Sequence, residues 1–181
     1  MLTSSSFADD GVVEIKSGDA TYFKKTKSID TSFDYNRTEI IIETSSLFST
    51  NEHYEDWDED WDEYAVDAEK IFFKTFNSKS DSLTLNKDSI GTDLFVSIKI
   101  KSIYITGTSN WDDDIQSIFG SKDGYGVSFS GKVVLKDSNK HTICVLTFED
   151  IEGYDIDELW KAFKNAYKQL ARELFICIKN I

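Results

Sequence analysis

The chain has 181 residues, 33 acidic against 20 basic for a formal charge of −13, with 40% hydrophobic and 14% aromatic residues. So many apolar and aromatic side chains exclude a disordered chain, and the length suits one domain with a continuous core. The acidity, with no run of Lys and Arg, speaks against nucleic acid and anionic membranes as partners, and no apolar run nears the roughly 18 residues of a membrane-spanning helix.

The opening "MLTSSSFADDG" places Ser6 and Ala8 at the small positions of a signal-cleavage site. Residues 1–8 are accordingly expected to be the remnant of an export signal, and 9–181 a single α+β domain. Val12, Val13 and Ile15 begin a strand; "SGDATYFKK" follows as a turn or short helix opened by Asp19. Ile29, Thr31, Phe33 and Tyr35 alternate strictly, which predicts a second strand. Thr38 to Thr44 predicts a third, with Asn36 and Arg37 as the intervening turn.

"HYEDWDEDWDEYAVDAEK", His53 to Lys70, opens a stretch that obeys a helical period to Asn77. Tyr54, Trp57, Trp61, Tyr64, Ala68, Ile71 or Phe72, and Phe76 recur at steps of three and four, so they share one face. The carboxylates fill the remaining surface. Their like-charge pairs at i,i+4 cost on the order of 1–2.5 kcal/mol together, whereas burial of one tryptophan contributes up to about 5 kcal/mol. Burial wins, and the stretch is expected to be a core helix with an acidic back. Asp56, Asp58, Asp60, Asp62 and Asp67 stand at calcium-loop offsets, but Trp61 holds the position that must be Gly and no Glu closes the loop. A weak, diffuse attraction for cations is all that remains.

Leu94, Val96, Ile98 and Ile100 alternate on one face, while Ile103 and Ile105 fall on the other parity, which predicts a β-bulge near Ser102. "SNWDDDIQSIFG" has the signals of a short helix, capped by Ser109 or Asn110 and stopped by Gly120. Val127, Phe129, Val133 and Leu135, a turn over Asp137 to Lys140, then Cys144, Leu146 and Phe148 make the clearest hairpin. A final helix follows, with Asp155 as cap and Ile156, Leu159, Trp160, Phe163, Tyr167, Leu170 and Leu174 as buried face. The expected fold is an α+β two-layer sandwich, an antiparallel sheet with two long helices on one face.

No motif assigns a reaction. "DGYGVSFSG" lacks the third glycine of a dinucleotide loop and has no G-x-S-x-G. Asp112 to Asp114 read as first-turn acids of a helix, and His53 and His141 have no nucleophile near them in sequence. Cys144 and Cys177 match no metal spacing; two free thiols and one disulfide both fit them. No catalytic, metal or cofactor residue is therefore assigned, and no cofactor is expected.

"SGDATYFKKTKSIDTSFDY" with "EDWDEDWDEYAVDAEKIFFKTFN" resembles a family of uncharacterised exported proteins of Bacteroidetes, through Gly18, Asp19, Phe33, Asp34, Tyr35, Trp57, Trp61, Phe76 and Asn77. The hairpin and last helix resemble, in architecture, accessory lipoprotein domains of the bacterial envelope. These resemblances imply a secreted, periplasmic or other cell-envelope protein and no catalytic residue. The expected function is non-enzymatic binding of a protein or small ligand. The alternative is a small hydrolase working with paired carboxylates, which requires several acids converging in an apolar pocket.

Overall fold

The computed structural model describes residues 11–44, 58–88, 91–107, 124–156 and 158–181; the side chains of 42–44 and 58–63 lie outside that description. The described elements are β1 (Val12–Gly18), α1 (Tyr22–Lys25), β2 (Ser28–Asp34), β3 (Glu39–Thr44), α2 (Asp58–Asn77), β4 (Thr84–Asn86), β5 (Leu94–Gly107), β6 (Tyr125–Asp137), β7 (Thr142–Asp155) and α3 (Leu159–Lys179). The strands form one sheet in the order β1-β7-β6-β5-β2-β4, and β3 also pairs with β5.

The chain is α+β, as its sequence predicts, but the sheet is mixed rather than antiparallel throughout. β1, β7, β6 and β5 are antiparallel neighbours, whereas β2 and β3 both run parallel to β5 and β4 runs parallel to β2. β2 covers Phe95 to Lys99 and β3 covers Ser102 to Gly107 on β5. The two strands therefore lie end to end along one long partner and do not pair with each other. Asn36 and Arg37 form the predicted turn, with Arg37 at φ 64° and the Thr38 N–H donating to the Tyr35 carbonyl at 3.0 Å. That turn shifts the chain along β5 without reversing it. A parallel return needs a long crossover, and α2 lies within the connection from β3 to β4 and β5.

The predicted phase change on β5 is present as a register shift between Ile100 and Ser102 against β6. It keeps Val96, Ile98 and Ile100 buried together with Ile103 and Ile105. β4 is a strand that periodicity does not predict, since only Leu85 of its three residues is buried. Asn77, at the end of α2, holds it through both amide atoms: the Leu85 N–H donates to Oδ1 and Nδ2 donates to the Leu85 carbonyl, each at 2.9 Å.

On α2, Ala65, Ala68, Phe72 and Phe76 are buried and Tyr64 is half-buried; Phe72 thus takes the position that spacing left between it and Ile71. Tyr54 and Trp57 lie outside the described residues, as do the side chain of Trp61 and the predicted helix over 109–120. α3 buries Phe163, Tyr167, Leu170 and Leu174 as expected and adds Ala162, Ala166, Ala171 and Ile178. Ile156 does not belong to that face. β7 continues to Asp155, so Ile156 precedes the helix and is 61% exposed. The Asp155 carboxylate still accepts the Glu158 N–H at 3.0 Å, just before the first turn.

α3 packs on β7, β6 and β1, and α2 packs on α3 and β4. Both helices meet one parity of sheet residues: Phe33 touches Phe72 and Phe73 of α2 and Tyr167 of α3, and Phe129 touches Phe163 and Tyr167. A Cβ on Gly153 would stand 2.1 Å from the Ala162 carbonyl oxygen and 2.2 Å from the Ala166 nitrogen. Only glycine lets α3 come that close to β7.

Candidate functional site on the sheet

Two places collect polar side chains, one beneath the helices and one on the opposite parity of the sheet. Beneath the helices, Glu69 of α2 is 7% exposed. The Tyr35 hydroxyl donates to its Oε1 at 3.0 Å, and Lys87 Nζ donates to its Oε2 at 3.0 Å. Tyr35 and Tyr167 meet hydroxyl to hydroxyl at 2.6 Å. Because the Tyr35 proton goes to Glu69, Tyr167 is the donor in that pair. Burial, above all, pushes both phenols to higher pKa than usual, so both keep the protons this chain requires. The cluster joins the residues just after β2 and β4 to α2 and α3. It is closed on itself: a carboxylate held by a phenol and an ammonium is compensated for its burial and is not poised to exchange protons with a substrate.

Glu69 is absent from the predicted core because helical spacing alone assigns it to the acidic back of α2. Only the folded position of Tyr35, 34 residues earlier, reveals it. Asp34 stands on β2 with its carboxylate on Lys99 Nζ at 2.7 Å, a hydrogen bond that lowers its pKa. Tyr35 and Phe33 lie in the core, and Gly18 ends β1 at φ 87° before Asp19, whose carboxylate accepts from the Thr21 N–H at 2.9 Å and hydroxyl at 2.6 Å. Among the described residues no group of three or more His, Cys, Asp and Glu is arranged to hold a metal ion.

On the other parity the central strands place Phe95 opposite Lys136, Ser97 opposite Val134, and Lys99 opposite Lys132. β2 adds Asp30, Ser32 and Asp34 on one side, and β7 adds Val145 and Thr147 on the other. Phe95 is 38% exposed. Further along the same face Ile41 pairs with Tyr104, and both Ile41 and Tyr154 are exposed. At the β1 side the face dips into an open groove of about 360 Å³ lined by Val12, Glu14, Lys16, Thr147 and Glu149, among others.

The remaining sequence candidates do not converge on either place. His141 caps its hairpin, with Nδ1 3.3 Å from Asp137 Oδ2 and its N–H donating to Oδ1 at 2.8 Å. His53 and Asp112 to Asp114 lie outside the described residues. Cys144 and Cys177 are free thiols, each raised in pKa chiefly by burial, which disfavours the reactive thiolate.

No family model matches the chain, and no curated protein matches it. Among solved structures it is similar to the PelC dodecamer from Paraburkholderia phytofirmans, at 15% identity over 91% of this chain and 96% of that chain, with a TM-score of 0.44. It is also similar to a structure described as a neuraminyllactose-binding hemagglutinin homolog from Helicobacter pylori, at 15% identity over 84% and 83% of the two chains, with a TM-score of 0.38.

Proposed function

We propose that the chain is a non-enzymatic binding domain of the bacterial envelope, a two-layer α+β unit that engages its partner through the sheet parity turned away from α2 and α3. One observation carries this reading. The buried ionisable cluster at Glu69 is satisfied internally by Tyr35 and Lys87, while Phe95, Ile41 and Tyr154 are exposed on the opposite parity beside lysines and serines. Rigid strands bearing exposed rings are a binding platform; a satisfied core cluster is a fastening. The envelope location is part of this proposal and follows from the resemblance carried by Gly18, Asp19, Phe33, Asp34, Tyr35, Phe76 and Asn77.

The test is capture from native envelope fractions with the full chain and with a variant carrying Ile41→Glu, Phe95→Glu and Tyr154→Glu. A partner retained by the parent and lost by the folded variant is the expected result. A partner retained equally by both places the binding surface elsewhere. Recovery of the native protein only from the cytosolic fraction overturns the envelope assignment.

A further inference from the structure

We propose that the lysines of β5 and β6 on this face, Lys99, Lys132 and Lys136, bind a carboxylate-bearing polysaccharide; the assignment rests on the sheet-face reading above and names its ligand class. Lys99 and Lys132 stand directly across from one another on neighbouring strands, a like-charge pairing that costs stability in a sheet. Lys136 lies on the same side of β6, four residues on, or about 13 Å at 3.3 Å per residue. A single carboxylate, Asp34, pairs with Lys99 and also feels the charge of Lys136; Lys132 and Lys136 take part in no ion pair within 4.0 Å among the described residues. In a chain of net charge −13, the middle of this face therefore carries surplus positive charge. The acids that face it, Asp30 and Asp34 on β2 and Glu14 and Glu149 toward β1, stand at its two sides.

The composition of the lane selects among anions. Lysine and serine are depleted where proteins dock on proteins, and aromatic residues and arginine are enriched; here Lys99, Lys132 and Lys136 are flanked by Ser32, Ser97 and Thr147, with Val134 and Val145 the apolar residues between the lysines. Nucleic acid, with one charge per about 1.7 Å of helix axis, would meet the acidic remainder of the surface. A hydrated polymer with one carboxylate per sugar, more widely spaced than the charges of nucleic acid, meets neither objection. Its acids would sit between opposed lysines, and its sugar hydroxyls would face the serines and threonine, with Phe95 at the end of the lane. No sequence pattern announces this surface, because Lys99 and Lys132 become neighbours only through the β5–β6 register.

The experiment measures binding of the full chain to immobilised polygalacturonate, neutral galactan and poly-glutamate at 20 and 150 mM NaCl. The expected result is binding to polygalacturonate that weakens with salt, no binding to galactan, and about a fivefold loss in the Lys132→Gln/Lys136→Gln variant at unchanged thermal midpoint. Equal binding to galactan, or an undiminished double variant, overturns the lysine lane. Equal binding to poly-glutamate overturns the polysaccharide assignment. If polygalacturonate does not bind but the Ile41, Phe95 and Tyr154 variant still loses an envelope partner, the ligand class fails and the sheet-face reading stands; if both fail, the two fall together.

Discussion

Tyr64 lies flat on Trp160, ring centroids 3.7 Å apart and planes 8° from parallel. The stack joins α2 to the first turn of α3, and Trp160 in turn stacks on Phe163 at 5.2 Å. Both partners are half-buried, so the full cost of deleting a core tryptophan does not apply. Trp160→Ala is expected to lower stability by about 2 kcal/mol, short of the 3–5 kcal/mol of a fully buried site. A double-mutant cycle with Tyr64→Ala should return a coupling of about 1 kcal/mol in urea unfolding; additive single effects would show that the stack contributes nothing of its own.

The hydroxyl chain ending at Glu69 has a direction, and its members should rank accordingly. Tyr35→Phe removes a donor from a buried carboxylate and should cost about 2 kcal/mol; Tyr167→Phe removes a donor from a neutral phenol and should cost about 1 kcal/mol. Lys87→Met should cost less than about 1 kcal/mol, because that ammonium is half in water. Chemical denaturation of the three variants checks the order, and a Lys87 effect larger than that of Tyr35 would contradict it.

Gly153→Ala is expected to destabilise the protein by about 3 kcal/mol. The added methyl meets backbone atoms of α3 at 2.1 and 2.2 Å, which cannot rotate aside. Far-UV circular dichroism should remain that of the parent while the unfolding midpoint falls. An unchanged midpoint would mean that α3 can lift from β7 without cost.

The Asp34–Lys99 pair sets a weak acid dependence. Lys99 holds the Asp34 pKa below its ordinary 3.8, so the ionised form contributes stability above that value and the contribution disappears as pH falls through the lowered folded value. Both side chains are about a third exposed or more, which limits the effect to less than about 1 kcal/mol. Asp34→Asn should therefore be slightly less stable than the parent at pH 7, and the difference should shrink as pH falls below 3.8, as read by thermal unfolding across pH.

Periodicity makes legible whatever one strand or helix decides alone. The alternation of Ile29, Thr31 and Phe33, the phase change on β5 and the hairpin turn at Lys140 are all where local spacing puts them. Relations between distant segments are not encoded that way. The β2–β3 turn looks the same whether the chain reverses or merely sidesteps along β5, so the mixed sheet was out of reach. β4 is too short to show a period, and its anchor is the Asn77 amide rather than its own residues. Glu69 and the lysine lane are products of packing and register, and they appear among the chain's many other charges only once partners are in place. Spacing alone assigns Ile156 to α3, because an apolar residue beside a cap fits a helix as readily as the strand exit it actually occupies.

The pairing of β1 with β7 has a consequence for how the chain acquires its structure. Val13 is opposite Phe148 and Ile15 opposite Leu146, so the first described strand cannot find its place until nearly the entire sequence is available. Contacts of such separation make a domain fold slowly, on the millisecond to second scale. During synthesis β1 must wait unpaired while β5, β6 and β7 emerge, its apolar Val12, Val13 and Ile15 open to whatever strand is nearest.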